Sequence, residues 1–237
     1  MPSVVKPLFL LPWQAATAAE NMALDSLLLE SFPEPSAIRL RFYSWTNAAF
    51  TFGYGQKWAE AFAASNQSAE LIRRPTGGGL VDHRHDWTYA LVIPANHPLA
   101  QARACDSYRV VHEALSAALT EAGVKNHLQS TCPESNKNFS ICFHQPERFD
   151  LVRTDSGQKI AGAAQKRSRT GMLLQGTVDK LLTKEVADWE KFGHEFVQHL
   201  ALNLDLSSIK SHSLTWPENL HSEITQRFAS HEWNQRR

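Results

Sequence analysis

The sequence predicts an α+β fold in which a mixed, largely antiparallel sheet is flanked by helices. Three observations carry that expectation. Segments of two-residue periodicity crowd the stretch from Arg39 to Val178, helical segments interrupt them without regular strand–helix alternation, and Gly or Pro clusters punctuate the joins. With 237 residues, 43% of them hydrophobic, the chain is long enough to bury one sizeable core. No repeat, linker or low-complexity segment divides it, so a single domain over 1–237 is expected.

The elements follow in order. Ala16 to Phe32 reads as a helix, with Met22, Leu24, Leu27 and Leu28 on an apolar side and Pro33 and Pro35 ending it. Arg39 to Trp45 alternates apolar and polar residues, and Ala48 to Tyr54 is rich in aromatic residues before Gly53 and Gly55 break it, so both read as strands. Leu71 to Arg74 is a third strand, running into Pro75, Thr76 and three consecutive glycines. The chain returns as Asp86 to Pro94, where Trp87, Tyr89, Leu91 and Ile93 alternate with Thr88, Ala90 and Val92. Asp106 to Ala122 reads as a helix with Tyr108, Val111, Leu115 and Leu119 on one face and Gly123 as its C-cap. Arg148 to Val152 and Gln158 to Ala164 form a predicted hairpin about Thr154 to Gly157, and Gly171 to Val178 supplies another strand. Val186, Trp189, Phe192, Phe196, Val197 and Leu200 mark an amphipathic helix, and Trp216 to Arg237 is expected to add a last short one.

Charge and cysteine usage exclude several classes of partner. Lysine plus arginine and aspartate plus glutamate are both 24, so no net charge draws the chain to nucleic acid or to an anionic membrane. The apolar run from Leu8 to Leu11 is bracketed by Pro7 and Pro12 and is shorter than a secretory core, and no segment approaches the ~20 residues of a membrane span. Cys105, Cys132 and Cys142 are an odd number without Cys-x-x-Cys spacing, which fits a reducing, cytoplasmic setting better than a disulfide framework.

The chemistry-bearing feature is Gly77 to Gly79. Three glycines between two strands let the backbone approach a ligand and present N–H groups to it. No Gly-Lys-Ser/Thr follows, so the loop is not a P-loop. His83 and His85 lack a further ligand at convincing spacing, and no metal centre is expected. Trp45, Phe50, Phe52 and Tyr54 are candidates for an apolar slot, although core packing accounts for most of them, and Lys166, Arg167 and Arg169 are candidates for a positive patch.

The segment from Arg73 to His83, followed by Thr88 and Tyr89, resembles the signature loop of the lipoate-protein ligase and octanoyltransferase family. The resemblance extends through Asn21 to Asp25 as the opening helix, Leu40 to Trp45 as the first strand, Gly53 to Gln56, and Lys159 to Arg167 as the lysine-containing strand. Cys142-Phe143, followed by Pro146, Asp150 to Val152 and Lys159, is similar to the branch that transfers octanoyl groups from acyl carrier protein through a cysteine. The resemblance implies a catalytic domain like those of biotin and lipoate protein ligases. It further implies acyl transfer by way of a Cys142 thioester onto a lysine of a lipoyl-accepting protein, either the glycine cleavage H protein or a lipoyl domain.

Cys142 and Lys159 are then the expected catalytic pair, and Arg74, Thr76, Gly77, Gly78, Gly79, His83, Gly162, Ala163, Gly176 and Thr177 the expected substrate-binding residues. No cofactor, nucleic acid or membrane is implied. Gln175 departs from the histidine usual in the family at that place; it donates hydrogen bonds but does not titrate. The alternatives are an ATP-dependent lipoate ligase, an amidotransferase between lipoyl-accepting proteins, and a catalytically silent binding module. Bacterial ligases often carry a C-terminal accessory domain, for which the chain leaves little room, and the Gly-Arg-Gly-type loop of biotin ligases is absent.

Overall fold

The computed structural model describes residues 7–131, 146–213 and 216–236. The strands are β1 (Leu8–Leu10), β2 (Gln14–Ala16), β3 (Ile38–Trp45), β4 (Ala49–Phe52), β5 (Glu70–Arg73), β6 (Val81–Asp82), β7 (Asp86–Pro94), β8 (Asn126–Leu128), β9 (Leu151–Arg153), β10 (Lys159–Arg167), β11 (Gly171–Asp179) and β12 (Ile209–Ser211). The helices are α1 (Ala18–Glu30), α2 (Trp58–Ala64), α3 (Pro98–Gln101), α4 (Ala104–Glu121), α5 (Trp189–Asn203), α6 (Glu218–Ala229) and α7 (His231–Gln235).

The main sheet runs β12-β1-β3-β7-β11-β10-β9-β8, with β2 added beside β3, and a second sheet runs β5-β4-β6. The central pairings β3–β7, β7–β11 and β11–β10 are antiparallel, whereas β1 joins β3 and β12 in parallel, so the fold is the expected mixed α+β arrangement. The small second sheet is a difference from the single sheet expected. It carries the Gly77–Gly79 loop at its rim, between β5 and β6.

Side-chain alternation on the central strands divides the core. Trp87, Tyr89, Leu91 and Ile93 of β7 face α4 and α5, where they pack with Val111, Leu115, Phe192 and Phe196. Ala90 and Val92 point to the other face and pack with Leu28 and Leu29 of α1. All nine residues of β7 are buried, as a strand covered on both faces must be. The alternation seen in the sequence thus separates two cores rather than core from solvent.

Helix starts are chemically marked. Thr17 forms a capping box at α1, its backbone N–H donating to Glu20 Oε2 at 2.8 Å and its hydroxyl accepting from the Glu20 N–H at 3.3 Å. Asp188 accepts from the N–H groups of Glu190 and Lys191 at 3.0 Å each at the start of α5. Gly123 follows α4 with a φ of 89°, the left-handed conformation expected of a C-cap.

The strands absent from the sequence-based expectation, β1, β2, β6, β8 and β12, have two or three residues each, too few to show a period, and the seven-residue α2 and four-residue α3 were not expected either. The apolar run at Leu8 to Leu10 is itself β1, inside the sheet between β3 and β12. The tail forms two helices where one was expected. They are held by Arg73, a buried guanidinium whose partners are backbone carbonyls: Nη1 donates to Tyr54 and Gln56 at 2.6 and 2.7 Å, and Nη2 to Asn234 and Arg236 at 2.9 and 3.1 Å. Trp233 Nε1 returns a bond to the Arg73 carbonyl at 2.7 Å.

Lysine has one point charge in place of this fork. Arg73→Lys therefore leaves buried carbonyls without donors and is expected to lower unfolding free energy by about 2–3 kcal/mol in urea titrations. An unchanged midpoint would show that α7 is not anchored in this way.

Candidate active site

A cavity of about 230 Å³ lies on the α1 side of the main sheet, between β10 and β11 on one side and the glycine loop on the other. Arg74, with 4% of its surface exposed, organises that loop. Its Nε donates to the Gly77 carbonyl at 2.9 Å, its Nη2 to the Gly79 carbonyl at 2.7 Å, and its Nη1 to the Thr51 carbonyl at 3.1 Å. Because the peptide is planar and trans, fixing the Gly77 carbonyl toward the guanidinium turns the Gly78 N–H away from it. Gly78 has a φ of 84°, which a side chain at that position would strain.

The polar corner is built by β9 and β10. Lys159 and Asp150 are both buried, and Lys159 Nζ lies 2.7 Å from Asp150 Oδ2. A β-bulge between Lys159 and Ala161 interrupts the alternation, so that Ile160 and Ala161 both join the core facing α4 and α5. The Lys159 side chain thereby reaches the place that a Gly162 side chain would occupy. A Cβ on Gly162 would lie 2.8 Å from both Lys159 Nζ and Asp150 Oδ1. Asp150 Oδ2 also accepts from the Glu147 N–H at 2.7 Å, and Glu147 lines the same corner.

The opposite wall carries a second set of buried polar groups. His83 sits between Asp86 and Thr51, with Nδ1 2.6 Å from Asp86 Oδ2 and Nε2 2.8 Å from Thr51 Oγ1. The Trp45 ring stacks on it at 4.1 Å. On β11, Gln175 also lines the cavity; it donates to Asp25 Oδ2 at 2.6 Å and accepts from the Thr76 hydroxyl at 2.7 Å. Asp25 also receives the Tyr43 hydroxyl at 3.0 Å and pairs with Arg41 at 3.5 Å. Burial pushes the Asp25 carboxyl above the usual carboxylate range, against the pull of Arg41 and of the Gln175 and Tyr43 bonds.

Of the residues singled out in the sequence, Arg74, Gly78, Gly79, His83, Lys159, Gly162, Ala163, Gly176 and Thr177 line this cavity. Thr76 and Gly77 do not. Thr76 is fully buried behind the wall against Gln175, and Gly77 turns its carbonyl to Arg74. Cys142 and Cys132 lie outside the described residues, and Cys105 is half-buried at the start of α4.

Trp45 lines the cavity, whereas Phe50 and Phe52 are core residues and Tyr54 is exposed. Lys166 pairs with Glu30 at 3.3 Å and Arg167 donates to the Ala100 carbonyl at 2.8 Å, so this part of the expected positive patch is engaged within the chain. Among the described residues no three His, Cys, Asp or Glu side chains gather as metal ligands, and no helix is long and apolar enough to cross a membrane.

Sequence reasoning passed over Asp25, Thr51 and Asp86, and it used Asp150 only as part of a motif. A signal existed for Asp150, because residues on either side of a hairpin turn become neighbours across the strands. Asp86 offered the same signal, three positions from His83 across a tight turn, and went unread, whereas Asp25 gave none, since Gln175 lies 150 positions away.

Comparison with known proteins identifies the setting of this cavity. Residues 17–182 match the lipoyl protein ligase A/B catalytic domain family. The chain is 34% identical over 166 residues to the octanoyltransferase LipM of Carboxydothermus hydrogenoformans, an alignment covering 68% of this chain and 61% of that protein. It is 32% identical over 175 residues to LipM of Bacillus subtilis, covering 69% and 62%. LipM of Brevibacillus brevis aligns over 94% of this chain and 97% of its own at 25% identity. The first of these alignments thus spans less than two thirds of the relative's length.

In fold, the chain is similar to a lipoate-protein ligase A bound with ATP, with a TM-score of 0.73 over 98% of this chain and 99% of that one at 19% identity. A bi-partite lipoate protein ligase described with its E2 lipoyl domain, from Thermoplasma acidophilum, gives a TM-score of 0.71 over 98% and 96% at 17% identity. The family match takes in the glycine loop, Lys159 and both strands of the cavity wall, and the chain belongs to the lipoyl protein ligase A/B catalytic-domain family.

Proposed function

We propose that the chain is an acyltransferase of protein lipoylation. In this reading it moves an octanoyl group from acyl carrier protein to a lysine of a lipoyl-accepting protein in the cytoplasm, with residues 1–237 acting as one catalytic domain. The observation that carries this reading is the buried Lys159–Asp150 pair at the corner of an otherwise largely apolar cavity, bounded by the glycine loop. An alkyl chain needs a dry slot, and an acyl carbonyl needs a cation and N–H donors at its end. The identity to proteins named octanoyltransferase supports the acyl class.

Cys142 is the nucleophile in this reading. It precedes Glu147, a cavity residue, by five positions in the sequence. A free thiol with a pKa of ~8.5 is only a few per cent thiolate at neutral pH, and the Lys159 ammonium favours the ionised form.

The thiolate attacks the donor thioester, and the donor sulfur leaves as a thiol by taking a proton from Lys159. The acceptor amine then attacks the Cys142 thioester, Lys159 takes back one amine proton, and the carbon–sulfur bond breaks to restore the thiolate and the ammonium. The Gly78 N–H is the proposed donor to the tetrahedral oxyanion, an interaction worth about 3–4 kcal/mol where a transition state depends on it.

Octanoyl-acyl carrier protein without ATP is expected to leave a hydroxylamine-sensitive octanoyl mass on the chain, seen by intact-mass spectrometry. Cys142→Ala should abolish it, and Cys105→Ala should leave it unchanged. Acceptor modification that survives Cys142→Ala and requires ATP with free lipoate would replace the transferase reading with a ligase one.

A second expectation concerns the corner itself. Gly162→Ala puts a methyl group within 3 Å of both members of the ion pair, and the rate of adduct formation should fall by about 100-fold, the scale of a misplacement near 1 Å. A rate within twofold of the parent would place Lys159 outside the chemistry.

A further inference from the structure

We propose that His112 is a positioning residue for the cavity's ion pair: its Nδ1–H holds the carbonyl of Phe149 and thereby aims the next residue, Asp150, at the ammonium of Lys159. The inference rests on the reading of Lys159 given above, but its geometry stands apart from any acyl donor. His112 lies on α4, on the far side of the main sheet from α1, and is 1% exposed. Its Nδ1 is 2.6 Å from the Phe149 carbonyl oxygen. A carbonyl only accepts, so the proton is on Nδ1.

Phe149 has a φ of 71°, a left-handed conformation that a bulky non-glycine residue adopts only when its surroundings impose it. The imposing contacts are identifiable. The Phe149 N–H donates to the Gln129 carbonyl at 2.8 Å, and the Gln129 N–H donates to the Asp150 carbonyl at 2.8 Å. A third bond, from the Asp150 N–H to the Glu147 carbonyl at 3.0 Å, closes a turn with Phe149 at its left-handed position, and His112 supplies the donor to the Phe149 carbonyl itself. Without a donor from α4 that half-buried carbonyl would lose its partner, and the turn would be freer to shift the Asp150 carboxylate that lies 2.7 Å from Lys159 Nζ.

His112 is suited to stay neutral in this role. Burial lowers its pKa, with the Asp150 carboxylate and the Phe149 carbonyl opposing and the Lys159 ammonium adding to the effect. The facing groups on neighbouring elements are Tyr108 of α4, Asp150 before β9 and Lys159 of β10, and Nε2 has no hydrogen-bond partner among the described residues. A second proton would therefore find no acceptor there and would add a cation on the side of Lys159.

The test uses two amides that mimic opposite ring nitrogens. An asparagine at 112 places its N–H near the position of Nδ1, and a glutamine near that of Nε2. In ¹⁵N-lysine spectra of the full chain without substrate, the Lys159 ammonium protons should exchange slowly enough to give a separate resonance. That resonance should persist in His112→Asn and be lost in His112→Gln. Adduct formation from octanoyl-acyl carrier protein should be slowed about tenfold in His112→Gln and be near the parent rate in His112→Asn.

Equal behaviour of the two variants in the spectra would overturn the proposal. A wild-type His112 that carries its proton on Nε2 in imidazole ¹⁵N spectra would do so without any variant. If the spectra follow the expected pattern but no adduct forms on the parent protein, the acyl-transfer reading fails and the positioning role stands.

Discussion

A buried cation beside a buried carboxylate is the constraint around which the site is built. Removing two charges from water costs several kcal/mol per ion, and their attraction repays this only when the geometry is close and further hydrogen bonds complete it. Each neighbouring peculiarity serves that geometry. The bulge after Lys159 redirects its side chain, Gly162 leaves the space in which the pair lies, and the Glu147 N–H supplies Asp150 with an additional donor. The left-handed Phe149 brings the carboxylate to the lysine. Together they specify where one ammonium sits at the edge of an apolar cavity.

The facing wall solves a different problem with similar means. A glycine loop has too few side chains to hold itself, and its conformational freedom must be removed from outside. Arg74 does so through the loop's own carbonyls, and its guanidinium also reaches Thr51, the hydroxyl partner of His83. From the other side Thr76 is tied to Gln175 and through it to Asp25 of α1. The cavity surface is consequently more apolar than the residues that shape it. Their polar atoms point into the walls, where they bond to one another, and little of that polarity faces a ligand.

Much of this was legible in the sequence, and the boundary of legibility has a physical cause. The central strands and the three long helices read correctly because each has enough residues to show a period; β7 was delimited at both ends by Asp86 and Pro94. The convergence of the glycine loop, His83, Lys159, Gly162 and Thr177 followed from the resemblance rather than from periodicity, which cannot report contacts between distant segments. Strands of three residues such as β1 and β12 were invisible because their pattern is set by pairing partners. His112 lay hidden for another reason: it occupies the apolar face of α4 between Tyr108 and Leu115, where a histidine reads as one more core residue until its acceptor is known.

Gln175 ties α1 to the glycine loop through the two ends of its amide. An amide has a donor end and an acceptor end, and here the choice between them is fixed by the neighbours. The Asp25 carboxylate only accepts, so it must face the amide nitrogen, and the Thr76 hydroxyl then donates to the amide oxygen. The link from α1 to the glycine loop thus runs from the Asp25 carboxylate through an amide that does not itself titrate, and the carboxylate keeps Arg41 and Tyr43 as further partners. An imidazole at this place would have to lie between a carboxylate and a hydroxyl, and its protonation state would follow the charge of Asp25. With glutamine the amide itself carries no titrating proton, and any change of charge in this link falls on Asp25, whose carboxyl pKa burial raises. Residue 175 therefore holds the wall in place without itself carrying a proton beside the cavity.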